Sequence, residues 1–117
     1  MISGIYNMTI EQGSTFNLVL VWKNDANNPI NLTGYSAKLQ LRASTGASVI
    51  LLELSSEDSD QIQVYPTQGT VNLTIGHAQT ALLPPSIAVY DLELKSAEGV
   101  VTKLIKGRCR IEGEVTR

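Results

Sequence analysis

The sequence predicts an all-β fold, an antiparallel β-sandwich of about seven to nine strands with one short helical turn. Two segments carry this prediction, Gln12–Arg42 and Ile87–Arg117, because both alternate apolar and polar residues. A period of two is what a pleated strand with one buried face requires. The alternating apolar positions are Phe16, Leu18, Leu20, Trp22, Tyr35, Ala37, Leu39 and Leu41 in the first segment, and Tyr90, Leu92 and Leu94 in the second.

The first half of the chain is expected to form four strands. Ile5–Glu11 is a strand that ends at a Gln-Gly pair, and Thr15–Lys23 is rich in β-branched and aromatic residues. Asn24–Asn31 is rich in Asn and contains Asp and Pro, which are typical of turns, so the chain turns before Tyr35–Arg42. Val49–Leu54 is nearly continuous in apolar residues. Such a strand is either buried between sheets or presented to a partner, and we favour burial.

The second half is expected to form two hairpins separated by the helical turn. Ile62–Tyr65 and Thr70–Ile75 flank a segment that contains Pro and Gly, a typical hairpin pattern. His77–Leu83 is the one segment with a helical pattern, and two prolines end it because proline cannot continue a helix. Ile87–Lys95 and Val100–Arg110 form the last hairpin. The regular spacing of these strands favours a sandwich over a parallel sheet covered by helices.

Length and composition predict one domain over residues 1–117, without disulfide bonds. The chain of 117 residues is 43% hydrophobic, enough for a core, and Cys109 is its only cysteine. A lone cysteine fits a reducing cytoplasm. Met1–Tyr6 lacks the pattern of a secretory signal, and no apolar run reaches the roughly 20 residues that span a bilayer.

The charge balance argues against nucleic acid and anionic membranes as partners. The chain has nine Lys and Arg against eleven Asp and Glu, a formal net charge of −2. Binding to phosphates requires a dense cationic face. The one basic group in the sequence comprises Lys103, Lys106, Arg108 and Arg110, which strand alternation is expected to place at least in part on one solvent-exposed face.

The residues of catalytic and metal sites are scarce. His77 is the only histidine and has no carboxylate neighbour in sequence, so neither a triad nor a zinc site is predicted. The acidic run Glu57–Asp60 lacks the glycine and the distal glutamate of a calcium loop and is expected to be a solvated loop. No glycine-rich phosphate loop occurs. The sequence therefore predicts a protein that is not an enzyme and has no cofactor, no metal and no catalytic residue.

Two aromatic residues refine the prediction to an immunoglobulin-like sandwich. Tyr90 lies in a strand that follows the helical turn, where such sandwiches often carry a corner tyrosine. We expect its phenol to bond a backbone carbonyl in the turn Thr80–Leu83. Trp22 is expected to fill the space between the two sheets.

Several blocks of the sequence occur in a characteristic order, namely Ile10–Phe16, Leu32–Arg42, Tyr90–Leu94, Gly107–Arg108 and Glu114–Arg117. Together they resemble a family of small proteins encoded by tailed bacteriophages and prophages. The block LTGYSAKLQLR, at Leu32–Arg42, also resembles the N-terminal, virion-attached domain of upper baseplate and fibre-bearing proteins. Gly113 departs from the family pattern, in which proline is more frequent at that position.

The resemblance implies a structural role in the phage virion, with assembly in the bacterial cytoplasm. The expected function is that of a non-enzymatic adaptor in the tail tip, baseplate or fibre-attachment region. Its partners would then be other phage structural proteins, with multiple copies in a symmetric assembly. Two alternatives are a capsid decoration or neck protein, and a carbohydrate-binding module for host recognition. Tyr6 and Tyr65 are the two aromatics that the core leaves for such a module.

The candidate partner-binding residues are those expected to be exposed without a role in the fold. They are Val49, Leu51, Arg108, Arg110, Glu114, Val115, Thr116 and Arg117. The last four form a tail that is expected to be able to extend the sheet of a neighbouring protein.

Overall fold

A computed structural model describes residues 4–57 and 61–116. Within these ranges the chain is mostly β, as predicted, with nine strands and two short helical turns where one was predicted. The strands are β1 (Gly4–Ile5), β2 (Met8–Glu11), β3 (Phe16–Val21), β4 (Ser36–Arg42), β5 (Leu52–Ser55), β6 (Ile62–Tyr65), β7 (Thr70–Ile75), β8 (Ser86–Lys95) and β9 (Val101–Glu112). The helical turns are a 3₁₀ turn at Pro66–Gln68 and helix α1 at His77–Thr80.

The described strands form two sheets. The larger sheet has the order β1–β9–β8–β4–β5, with β2 also paired to β9, and the smaller sheet has the order β3–β7–β6. Buried side chains of both sheets belong to one hydrophobic core, for example Leu39 and Leu92 from the larger sheet and Leu73 and Ile75 from the smaller. The chain therefore passes between the two sheets several times, and both sheets contribute to one apolar core.

The N-terminal edge of the larger sheet is parallel, so the prediction of a wholly antiparallel fold was wrong there. The segment predicted as one strand is divided into β1 and β2, and both run parallel to β9. Ile5 lies opposite Lys106, and Met8 lies opposite Cys109. Alternation along a sequence cannot distinguish the two directions, because parallel and antiparallel strands share the period of two.

Between β1 and β2 one backbone carbonyl turns out of the hydrogen-bond ladder. The Tyr6 amide donates to the Lys106 carbonyl at 2.9 Å, as in a regular parallel pair. The Tyr6 carbonyl would then accept the Arg108 amide, but it accepts the Tyr90 phenol at 2.5 Å instead. The side-chain oxygen of Asn7 accepts the Arg108 amide at 3.0 Å, so this amide still has a hydrogen-bond acceptor.

The turn after β7 is held by a threonine and not by Tyr90. The predicted bond from Tyr90 to a carbonyl of Thr80–Leu83 is wrong, because Tyr90 lies in the middle of β8 and reaches the N-terminal edge of the sheet. The hydroxyl of the fully buried Thr80 donates to the Ser14 carbonyl at 2.7 Å and accepts the Gly13 amide at 3.0 Å. It thereby joins α1 to the loop between β2 and β3.

Strand β3 lies at an edge of the smaller sheet, and its apolar face is only partly buried. Phe16, Leu18 and Leu20 pack against the core but remain partly exposed, because an edge strand has a neighbour on one side only. Trp22 is likewise partly buried and contacts Tyr35 edge to face, with ring centroids 6.3 Å apart. These residues lie at the margin of the core, whereas Trp22 was expected to fill the space between the two sheets.

Candidate interaction surface

The outer face of the larger sheet brings together cationic side chains from strands that are distant in sequence. In the register of β4, β8 and β9, Arg42 lies opposite Val89, and Val89 lies opposite Arg108. The two arginines therefore flank Val89, with backbones about 10 Å apart, twice the usual spacing of strands. In the next row, Lys106 of β9 lies opposite Asp91 of β8.

A β-bulge in β9 adds another lysine to this face. The register shifts so that Leu92 pairs with Ile105 and Glu93 pairs with Lys103, which leaves Leu104 between them without a partner. Lys103 and Lys106, three residues apart, consequently both lie opposite outward-facing positions of β8. This confirms the prediction that at least some of the basic residues of this strand share an exposed face.

The outer face contains an open depression of about 680 Å³. Its charged lining, among the described residues, comprises the four cations Arg42, Lys103, Lys106 and Arg108 and the single carboxylate Asp91. Lys103 forms ion pairs with Asp91 at 3.3 Å and with Glu93 at 2.6 Å. The other three cations have no carboxylate within ion-pair distance in the part of the chain that the structure describes. The cationic depression, as we call it, is therefore net positive on a chain of net charge −2.

Two of these cations are held in place by hydrogen bonds. The Arg42 guanidinium donates to the Ala47 carbonyl at 2.7 Å and to the Gln40 side-chain oxygen at 3.0 Å. The hydrogen bond that Lys103 donates to Glu93 raises the pKa of Lys103 above its ordinary value, so this side chain remains charged over a wider pH range. A guanidinium fixed in this way loses less conformational entropy when it binds an anion.

Sequence reasoning selected Arg108 but not Arg42 or Lys106 as a contact residue. Alternation places each of the three on an exposed face of its own strand. Their proximity depends on β8 lying between β4 and β9, a strand order that no local pattern specifies. The sequence thus indicated that each of these side chains faces outward, but it did not indicate that the three lie close together.

The predicted contact residues Val49 and Leu51 precede a strand instead of belonging to it. Strand β5 begins only at Leu52, so the predicted strand Val49–Leu54 was too long. Its two parts differ in burial: Val49 is 67% exposed, whereas Leu52 and Leu54 are core residues. Leu51 is partly buried and packs against the core, so it presents less surface than expected.

Arg110 lies on the same face of β9 as Arg108, but it is not part of the lining of the cationic depression. It is opposite Ile87 and forms an ion pair with Glu112 at 3.6 Å. Strand β9 continues to Glu112, two residues beyond the predicted end. Arg108 and Arg110 are therefore alike in type, strand and face, and they differ in their surroundings.

The C-terminal tail lies beside the loop between β2 and β3, apart from the lining of the cationic depression. The Glu114 amide donates to the Gln12 side-chain oxygen at 3.0 Å, and the Gln12 side-chain nitrogen donates to the Leu83 carbonyl at 3.0 Å. Beyond this attachment, Val115 is 96% exposed and Thr116 is exposed. The last candidate, Arg117, is outside the described residues.

His77 and Cys109, two of the residues considered for catalysis or metal binding, are not part of the lining of the cationic depression. His77 is exposed on α1, and Cys109 is fully buried, which raises the pKa of its thiol to about 11. Most of the acidic run Glu57–Asp60 lies outside the described residues. Within 4–57 and 61–116, no group of three or more His, Cys, Asp or Glu residues is arranged to hold a metal ion. Those same residues include no helix of the length and hydropathy needed to span a membrane.

No protein-family model matches this sequence, and a search of curated proteins found no significant match.

Proposed function

We propose that this protein is a non-enzymatic structural component of a tailed-phage virion, an adaptor in the tail tip, baseplate or fibre-attachment region. We propose further that its two sheets form an immunoglobulin-like sandwich. The sequence blocks that resemble phage virion proteins support the first part, above all LTGYSAKLQLR at Leu32–Arg42. In this proposal the protein joins larger parts of the particle through its outer surfaces.

The strand order supports the immunoglobulin-like assignment. In variable-type domains of that class, strands G, F, C and C′ lie in one sheet and strands B, E and D lie in the other. The orders β9–β8–β4–β5 and β3–β7–β6 correspond to these two sets when β3 is taken as strand B. Tyr90 then lies on the strand equivalent to F, although its phenol bonds the edge formed by β1 and β2.

The cationic depression is the structural feature that best supports the proposed adaptor function. Three of its cations, Arg42, Lys106 and Arg108, have no ion-pair partner among the described residues. They lie beside apolar surface, namely the half-buried Val89 and the 75% exposed Ile5. Exposed apolar groups next to arginine are typical of protein–protein interfaces, where arginine is enriched. A side chain held in place, as Arg42 is, favours specific binding over loose electrostatic attraction.

Location within purified particles tests the proposed function. Antibodies against the protein should label one end of the tail in gold-labelled electron micrographs of particles from the phage or prophage that encodes it. Particles made without the gene should lack the part attached next to it. Labelling of capsids but never of tails would refute the adaptor placement and favour a capsid decoration or neck protein. Absence from particles would refute the virion assignment altogether.

The carbohydrate-binding alternative has less structural support. Tyr6 and Tyr65 are indeed exposed, at 43% and 40%, but Tyr6 borders the larger sheet and Tyr65 ends β6 of the smaller one. Sugar-binding platforms usually set two or three aromatic rings on one face. Screening the purified protein against a glycan array tests this alternative, and specific binding that depends on Tyr6 or Tyr65 would favour it over the adaptor.

A further inference from the structure

We propose that the cationic depression binds an extended acidic segment of a partner protein in which carboxylates occur at alternate residues. This inference rests on the proposed function and specifies the chemistry of the partner. Three features support it: the spacing of the cations, the apolar residue between them, and the local charge balance.

The spacing of Lys106 and Arg108 matches an extended peptide. These residues are two apart on β9 and face the same side, so their backbone positions are separated by about 6.8 Å. Alternate residues of an extended peptide have the same separation and also face one side. A segment lying along β9 would therefore bring successive carboxylates to Lys106 and Arg108 without distortion.

The pair formed by Arg42 and Arg108 can hold one carboxylate from both sides. The two side chains flank Val89, and Arg42 is already fixed by the carbonyl of Ala47. Arginine binds carboxylates through parallel, charge-assisted hydrogen bonds that are stronger than neutral ones. Val89 supplies apolar surface between the arginines, which favours a peptide side chain over a small inorganic anion.

The charge balance favours an acidic protein segment over nucleic acid. Asp91 contributes a negative charge to the lining, and the chain as a whole carries −2, which repels a long polyanion. Nucleic-acid binding typically uses a basic stripe that follows the phosphate backbone. Here Arg42, Lys106 and Arg108 line one open depression of about 680 Å³, a size suited to a few peptide side chains.

The test uses a fluorescent synthetic peptide of alternating Glu and Thr residues and the purified full chain. Fluorescence anisotropy at low ionic strength should show saturable binding that weakens as salt is added. Because each contact is a charge-assisted hydrogen bond, R108A and K106A should each raise Kd about fivefold. The matched control R110A removes the same charge from the same strand outside the cationic depression, and it should change Kd by less than about twofold.

Two further probes complete the test. A peptide of the same composition with its Glu residues in one block should bind more weakly, because its carboxylates alternate between the two sides of the chain. A single-stranded oligothymidylate should bind more weakly than the alternating peptide. Equal losses in R108A and R110A, equal affinity for the two peptides, or tighter binding of the oligonucleotide would each overturn the inference.

Incorporation into particles separates this inference from the proposed function. If the wild-type protein is in tails and R108A enters them as well as R110A does, the inference fails while the adaptor function stands. If the wild-type protein is absent from particles but binds the alternating peptide through Arg108, the adaptor function fails and the binding site stands. Circular dichroism should show that all three variants are folded, since the substituted side chains are exposed.

Discussion

Replacing Gly107 with alanine should detach the N-terminal edge of the larger sheet. Gly107 lies in β9 beside the break between β1 and β2. An added methyl group would lie 2.9 Å from the side-chain oxygen of Asn7 and 2.9 Å from the Tyr6 carbonyl carbon, and closer still to the Tyr6 carbonyl oxygen. Most of these neighbouring atoms belong to the backbone, which cannot move aside by changing a rotamer. The methyl group should therefore push the chain at Tyr6 away from β9.

The cost of this displacement follows from the hydrogen bonds at the break. Three bonds would be lost: the Tyr90 phenol to the Tyr6 carbonyl, the Tyr6 amide to the Lys106 carbonyl, and the Arg108 amide to the Asn7 side chain. At about 1 kcal/mol for each bond, the free energy of unfolding should fall by about 3 kcal/mol. For a chain of 117 residues this loss corresponds to a decrease in Tm of about 12 °C.

Urea unfolding followed by tryptophan fluorescence measures this change. The chain has one tryptophan, Trp22, which packs on Tyr35 and reports on the core margin. Gly46→Ala is the matched control: no atom lies within 4 Å of its added methyl group, and its φ is not positive, so the effect should stay within about 0.5 kcal/mol. A Gly107→Ala protein as stable as the wild type would refute the reasoning. The double variant Gly107→Ala, Tyr90→Phe should be destabilised by less than the sum of the two single changes. The reason is that each change removes the same hydrogen bond, from the Tyr90 phenol to the Tyr6 carbonyl.

Three other outcomes are expected. Thr80→Val keeps the side-chain shape but leaves the Ser14 carbonyl and the Gly13 amide without the hydroxyl, so urea unfolding should show a loss of about 2 kcal/mol; wild-type stability would contradict this. Burial raises the pKa of the Tyr90 phenol above its ordinary 10.0, so the unfolded chain ionises first and stability falls above pH 10 by about 1.4 kcal/mol per pH unit from this group. Tyr90→Phe should show a shallower decline, and equal slopes would exclude the assignment. Deletion of Glu114–Arg117 should weaken incorporation into particles with little change in Tm, and equal incorporation would count against a role for the tail.

The strand boundaries were predicted best where both turn chemistry and alternation were strong. The hairpin of β6 and β7 has the predicted limits, because proline and glycine mark its turn. The prediction was poorer at Val49–Leu54, where the apolar residues are nearly continuous and do not alternate with polar ones. There the strand begins only at Leu52. A run without alternation does not indicate which residues face the core, so its start depends on the neighbouring strand.

The interaction surface was predicted only in part. Arg108 and Arg110 were selected together, since alternation places both on the exposed face of β9. Alternation could not show that Arg42 lies across Val89 from Arg108 or that Lys106 lies opposite Asp91. These relations depend on the order of strands in the sheet, which is decided by contacts between residues far apart in sequence.

By itself, the sequence determined that this protein is a β-domain, because the period of two is a local property that each strand carries within a few residues. Tertiary structure alone decided the parallel pairing of β1 and β2 with β9, the turned carbonyl of Tyr6 that accepts the Tyr90 phenol, and the cationic depression around Val89. Each of these features joins residues that are dozens of positions apart in the chain. Their arrangement follows from register and strand order, and many strand orders are compatible with one local pattern.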